Sequence, residues 1–454
     1  MTSHGGEQAR VISAGLARGI QLRSSMVIGS GVGHRSNLQE RRISTARPAF
    51  GPMSKSYASP TTPQSSYTTG MAMDNVSRRS LLKAAGSAGI IGRLPETALA
   101  FQTSGQATHE VATGPGQEHT SEHTIKFAVI GLDHNHINGI TDTIRRSGGE
   151  LVSVHSTNPQ ALTGFQKRYD GVRVARSEDE ILNDSSIQLV CSAAIPDLRA
   201  PLGVRVMRHG KDFLSDKPGI TTLEQLAEVR LTTQETGRMF GIMYGRLESR
   251  TTMHAGALLK DGAIGRVLQT VQLAPHRVDE KTRPEWFWDP VRYGGTLCDL
   301  GSHQADEFVY FTGSTAADVT TSQVANLNYR HRPKFQDFGD MLVQGNGGLG
   351  YFRVDWFTPD GLGAFGDERT FILGTEGYIE MRKTIDITGR PGGDHLLIVD
   401  RKSARYIDCK NLALPFGPAF VEDIVKRTQV AQNQAAALLA TELVLKGQKN
   451  ARML

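Results

Sequence analysis

A carboxylate and an imidazole four residues apart, Asp299 and His303, lie in the stretch YGGTLCDLGSHQAD, residues 293–306. On a helix this spacing puts both side chains on one face, one turn apart. Such a pair suits general acid–base chemistry, because the carboxylate fixes the imidazole's tautomer and the imidazole moves the proton. The same spacing also describes a polar pair on a solvated helix face, so its meaning depends on its surroundings. Lys217 stands between Asp216 and Pro218, where a strand is expected to end, and there it can stabilise charge on a reacting oxygen. Tyr244, Arg246, Arg283 and Trp286 offer the aromatic faces and guanidinium groups that suit a sugar. Asp306, one turn beyond His303, adds a carboxylate for a substrate hydroxyl.

These groups need a scaffold, and the chain spells one out. The apolar run Ile125–Ile130 ends in Gly131, followed by Leu132-Asp133-His134-Asn135-His136 and a helix. Strand, glycine, loop, helix is the setting of a dinucleotide fingerprint. Only its first glycine is present, with Asp133 and His136 where the second and third are usual. The helix N-terminus, with His134, Asn135 and His136, still supplies donors for a diphosphate. A metal cluster of Asp133, His134 and His136 is the less favoured reading, since no further ligand is nearby in the sequence; no metal is expected. The second strand ends His155-Ser156-Thr157 with no acid, which removes repulsion of a 2′-phosphate and lets Ser156 and Thr157 donate to one. The expected cofactor is NAD or NADP, with a tilt toward NADP or weak discrimination.

Strands are expected at 125–130, 150–155, 172–175, 187–192, 212–215 and 239–244, with helices between them, one of them over 204–209. That alternation predicts a Rossmann-type, doubly wound parallel sheet over residues 124–245. Beyond it the rhythm changes to a helix over 251–260, a strand over 267–278 and then runs paired around polar glycine turns. Consecutive hairpins predict a second α/β domain, 246–454, with a large, mostly antiparallel sheet and closing helices. An exposed face of that sheet would suit a homo-oligomer, a dimer or tetramer.

The formal charge of +5 comes from the leader, because residues 1–123 hold 12 Lys/Arg against 7 Asp/Glu. The remainder is neutral, which argues against nucleic acid as a partner. Residues 1–70 read as disordered or as an early start, with Met71 and Met73 as alternatives. Within 71–100, Arg78-Arg79 precedes a small-residue apolar run and Ala98-Leu99-Ala100, the order of a twin-arginine signal peptide. Residues 101–123 read as a linker. Export to the periplasm is expected, or a cytoplasmic location if the leader is an artefact. No apolar run is long enough for a membrane span. Cys191, Cys298 and Cys409 have no metal or redox spacing and read as buried thiols.

Over about residues 124–454 the chain resembles the Gfo/Idh/MocA oxidoreductases. Asp216-Lys217-Pro218 is similar to that family's Glu-Lys-Pro motif. Ile195-Pro196-Asp197 is similar to its Thr-Pro-Asn loop, and GGTLCDLGSHQAD to its G-G-x-L-x-D-x-G-x-H-x-x-D signature. The resemblance implies a catalytic lysine at Lys217, with Asp299 and His303 beside it, and cofactor contacts from Ile195, Pro196, Asp216 and Lys217. It implies hydride transfer between a tightly held nicotinamide and a sugar or polyol hydroxyl, with His303 taking the hydroxyl proton and Asp299 orienting His303 or binding a neighbouring hydroxyl. Alternatives are an NAD-dependent glycoside hydrolase working by transient oxidation and elimination, and a non-catalytic sugar- or nucleotide-binding relative.

Overall fold

In the computed structural model, residues 107–112 and 120–454 are described. The signal-peptide reading and nearly all of the leader lie outside them. Among the described residues, no helix is long and apolar enough to cross a membrane.

Six parallel strands form the first sheet. In spatial order they are Arg173–Val174, Gly149–His155, Ile125–Ile130, Leu189–Ser192, Asp212–Asp216 and Phe240–Met243. Numbered along the chain the order is three, two, one, four, five, six, so the winding direction reverses between Ile125–Ile130 and Leu189–Ser192. Open α/β sheets bind ligands at the carboxyl ends of the strands flanking such a point. The central strands are continuous apolar runs because helices cover both faces. Phe127, Val129, Leu189, Phe213 and Phe240 are all fully buried.

One helix departs from its expected start. It runs Pro196–Arg208, eight residues earlier than the periodicity suggests, and contains Pro201. Proline lacks the N–H that would serve the carbonyl four residues back. The side chain of Gln225 supplies the substitute, donating to the Asp197 carbonyl at 2.9 Å. That earlier start brings Arg199 into the fold's centre. The strand expected over 267–278 ends sooner, at Pro275.

The second sheet has ten strands: Thr108–Val111, Ala404–Asp408, His395–Val399, Tyr378–Arg382, Arg369–Gly374, Val267–Pro275, Gly348–Asp355, Phe338–Gly345, Ala317–Ala325 and Arg452–Met453. Neighbours are antiparallel except at three seams, so the mostly antiparallel expectation holds. One face carries the helix Gly301–Thr312, packed through Phe308 on Phe352. The other face leaves Leu342, Leu349, Phe371, Leu373 and Tyr378 exposed.

The boundary at 245/246 is crossed by elements of the second half. Phe416, Phe420, Val421 and Ile424 of the helix Phe416–Lys426 pack into the Rossmann core beside Phe127 and Leu214. Gln432 and Gln434 each exchange two hydrogen bonds with the backbone of the edge strand, at Ile242 and Phe240. They take the place of a neighbouring strand and close an edge that would otherwise be free to pair. A single apolar cluster also runs from Ile130 and Phe213 through Leu297 to Phe352. Groups facing each other across this junction are therefore held by a common core.

Candidate active site

The junction encloses a cavity of about 240 Å³ at the carboxyl ends of the Rossmann strands. Its polar lining is His134, His136, Arg199, Lys217, His276, Arg283, Asp299 and His303; its apolar lining includes Pro196, Trp286, Phe287, Trp356 and Phe365. Larger concavities lie elsewhere, such as one of about 560 Å³ beside Tyr169, but they gather no comparable set of reactive groups. Convergent polar side chains, more than volume, mark a site.

Lys217 follows the strand Asp212–Asp216 and is 8% exposed. Its Nζ donates to the Asp299 carboxylate at 2.9 Å and to the Asp299 carbonyl at 3.2 Å. Asp299 closes a short helix, Thr296–Asp299, which is followed after Leu300 by the helix Gly301–Thr312 bearing His303. Asp299 and His303 thus sit on two helical segments, and the expected orienting role of Asp299 is corrected: its carboxylate is engaged by Lys217. The imidazole is held from behind, where the Gly245 N–H donates to His303 Nδ1 at 2.9 Å. With Nδ1 accepting, the neutral ring carries its proton on Nε2. Burial, reinforced by the charge of Lys217 and by nearby His276, Lys383 and His136, holds the His303 pKa well below the ordinary imidazole range.

Of the expected pocket residues, Arg283 and Trp286 line the cavity. Arg283 stacks on Phe287 and Trp356, with its guanidinium carbon 4.5 and 5.1 Å from the ring centroids. Tyr244, Arg246 and Asp306 do not line it. Tyr244 is buried and bonded to Thr441 Oγ1 at 2.9 Å. Arg246 pairs with Asp306, on the helix Gly301–Thr312, at 2.7 Å. All three are buried, which alternation alone does not show.

Asp216 is a buried hub. Its carboxylate accepts from Arg199 Nη2 at 3.0 Å and the Lys217 N–H at 2.8 Å, and it faces His134 Nδ1 at 2.9 Å and His136 Nδ1 at 3.0 Å. Burial works against the charge, but Arg199 and the imidazoles of His136 and His134 outweigh it and hold the pKa well below the carboxylate range. Burial lowers the His134 pKa against the opposing pull of Asp216. Asp216 thus ties Arg199, the Lys217 backbone and the two loop histidines together.

The cradle suits a dinucleotide at its start. Gly131 has φ +84°, and a Cβ there would approach Ala194 Cβ to 2.6 Å. Leu132 turns its side chain into the Rossmann core. Burial raises the Asp133 pKa. Asn135 and His136 open the helix His136–Arg146. Ile195 caps the next helix and Pro196 begins it and lines the cavity. Ser156 and Thr157 follow the second strand, away from the cavity, where the adenosine end of a dinucleotide lies in this fold. The residues present therefore fit a nicotinamide dinucleotide.

Sequence reasoning missed Arg199, His276, Phe287, Trp356 and Phe365. Arg199 had one signal, a lone cation among Ala200, Leu202 and Gly203. The others come from the second domain's strand ends and loops, and only tertiary folding brings them in.

Comparison with known proteins agrees with this geometry. Residues 125–244 match the oxidoreductase family model with an NAD-binding Rossmann fold, and residues 252–380 match the GFO/IDH/MocA C-terminal domain. A crystal structure from Erwinia carotovora atroseptica SCRI1043, assigned as an oxidoreductase, is 42% identical. The likeness covers 73% of this chain and 100% of that one, with a TM-score of 0.71. A 1,5-anhydro-D-fructose reductase of Ensifer adhaerens is 24% identical over 43% of this chain and 58% of its own length. An inositol 2-dehydrogenase 2 of Saccharopolyspora erythraea is 24% identical over 60% of this chain and 77% of its own length. With both domains matched in order around this site, the chain belongs to the Gfo/Idh/MocA family of oxidoreductases with an NAD-binding Rossmann domain.

Proposed function

We propose that the protein transfers a hydride between a nicotinamide cofactor and a hydroxyl of a cyclic sugar or polyol. The observation that carries this reading is the meeting of Lys217, Asp299 and His303 with Trp286, Phe287 and Trp356 in one cavity at the strand ends. The cofactor, when bound, supplies the hydride acceptor or donor. The chain's own residues handle the oxygen and its proton. Lys217 Nζ, positioned by Asp299, hydrogen-bonds the reacting oxygen: as a neutral amine it takes the hydroxyl proton when hydride leaves carbon, and as an ammonium it returns that proton in the reverse direction. His303, neutral with Nε2–H toward the cavity, donates a second hydrogen bond to the same oxygen. It therefore acts as a fixed electrophile, not as the base the sequence suggests. Aromatic faces seat the sugar ring, in keeping with the cyclic compounds named for the two relatives above.

The test is a panel of cyclic sugars and polyols with NAD and NADP, following reduced nicotinamide by absorbance. Turnover with none of them, together with no nicotinamide bound to the purified protein, would sink the reading. Within it, His303→Ala is expected to lower kcat about 10²–10³-fold, the usual loss for one oxyanion donor. His303→Gln, which keeps an N–H donor, is expected to recover part of that and to retain the wild-type pH profile. Disappearance of an ionisation from the His303→Gln profile would return the proton-accepting role to the imidazole.

We also propose that the open face of the ten-stranded sheet meets a second copy. Leu342, Tyr351, Val271 and Phe371 align across four strands, and Leu349, Gln269, Leu373 and Tyr378 form the next row. An exposed apolar surface of this extent marks an association site. Phe371→Glu with Leu373→Lys is expected to shift the mass in light scattering from oligomer to monomer. An unchanged mass would place any interface elsewhere.

A further inference from the structure

The loop that replaces the glycine fingerprint does more than abandon glycines. Asp133-His134-Asn135-His136 puts two imidazoles on one turn, and the fold brings Asp216 to them from some 80 positions away. One ligand atom from each of the three lies within 4.8 Å of the others. The two rings meet edge to face with centroids 4.0 Å apart. We propose that His134, His136 and Asp216 form a binding site for a divalent transition-metal cation of the zinc type.

The lone pairs of Asp216 support this. An ionised carboxylate has about four acceptor positions. Arg199 takes one on Oδ2 and the Lys217 N–H takes one on Oδ1, which fixes the carboxylate in place. One remaining position on each oxygen faces a histidine Nδ1, at 2.9 Å for His134 and 3.0 Å for His136. Ligand atoms about 3 Å apart are what neighbouring positions on an ion show when its bonds are ~2.0–2.1 Å. In the metal-free state His134 Nδ1 and His136 Nδ1 each lie within hydrogen-bond distance of the Asp216 carboxylate. A neutral imidazole that coordinates through Nδ1 carries its proton on Nε2.

Two imidazoles and one carboxylate select zinc, cobalt, nickel or iron(II) over magnesium or calcium, which prefer all-oxygen shells. Three protein ligands with positions left open are the pattern of a reactive centre and not of a closed structural one. His134 and His136 line the same cavity as Lys217 and His303, so the open positions face that space. Arg199, paired with the same carboxylate, weakens the site by repulsion. The cation is therefore exchangeable.

The test uses the untagged full chain, treated with chelator and reloaded with Co²⁺ or Zn²⁺. Equilibrium dialysis with elemental analysis is expected to find one ion per chain, and Co²⁺ to show visible absorption bands from nitrogen ligation. His136→Asn keeps an N–H for the Asp216 hydrogen bond but removes the imidazole. It is expected to weaken binding by at least ~10–100-fold, as is His134→Asn. Circular dichroism and a thermal melt on each variant separate loss of metal from loss of fold. Less than one ion per chain in the wild type at saturating Co²⁺, or undiminished binding in both folded variants, would overturn the proposal. The readouts are independent of dehydrogenase activity, so failure of the metal site and failure of the hydride-transfer reading are distinguishable.

Discussion

Replacing Lys217 with methionine is expected to lower kcat for sugar oxidation about 10³-fold while changing cofactor affinity less than threefold. Proton transfer by a positioned group is worth ~10²–10⁴. Here the same Nζ also stabilises charge on the oxygen, so the upper half of that range applies. Methionine keeps most of the side-chain volume among Pro196, Leu300 and Trp286, so the cavity keeps its shape. The Asp299 carboxylate loses its cation partner but remains partly open to the cavity. Asp299→Asn is expected to lose less, since Lys217 still reaches the Asp299 carbonyl at 3.2 Å. Stopped-flow turnover and fluorescence titration of reduced nicotinamide separate the two effects. Turnover within tenfold of wild type in Lys217→Met would remove lysine from the chemistry.

The second large effect concerns stability. Arg199→Met is expected to destabilise the fold by about 3–5 kcal/mol, the range for removing one partner of a buried ion pair. Arg199 is 1% exposed, and its loss leaves the Asp216 carboxylate without a cation. It also abandons the carbonyls of Ala194 at 2.6 Å, Lys217 at 2.6 Å and Pro218 at 3.2 Å. Those contacts tie the Ala194–Pro196 loop to the segment carrying Lys217, so activity is expected to fall as well. The denaturant midpoint measures the stability loss. Arg199→Met combined with Asp216→Asn should recover part of it, because the uncompensated charge is gone. A midpoint unchanged in Arg199→Met would mean that the network contributes nothing net. The linkage has a defined sign. Asp216 is depressed in the folded state, so its contribution is complete above the unfolded value near ~3.9 and is lost as pH falls below it.

Legibility differed between the two halves of the site. The proposed trio of Lys217, Asp299 and His303 could be picked out because each member belongs to a local pattern: Lys217 before a proline at a strand end, Asp299 and His303 four residues apart. The pairing within the trio could not. Asp299 turns to Lys217 because the short helix Thr296–Asp299 ends where the strand Asp212–Asp216 ends, a contact between residues 82 positions apart. His303 is held by Gly245 for the same kind of reason, across 58 positions. Tyr244 and Arg246 looked like pocket residues because aromatic and cationic types suit sugars. Type alone does not report that their side chains point into the core.

By itself, the sequence determined the alternation that makes a Rossmann sheet, the hairpins that make a second sheet and the helical character of the stretch around Asp299 and His303. These depend on short-range rules: periodicity, turn residues and strand-ending glycines. Tertiary structure alone decided which charges pair, which aromatics wall the cavity and whether His303 presents a proton or a lone pair. It also decided that Asp216 is the buried partner of two loop histidines. Each of these rests on the distance and direction between groups far apart in the chain, which packing sets and local pattern does not record.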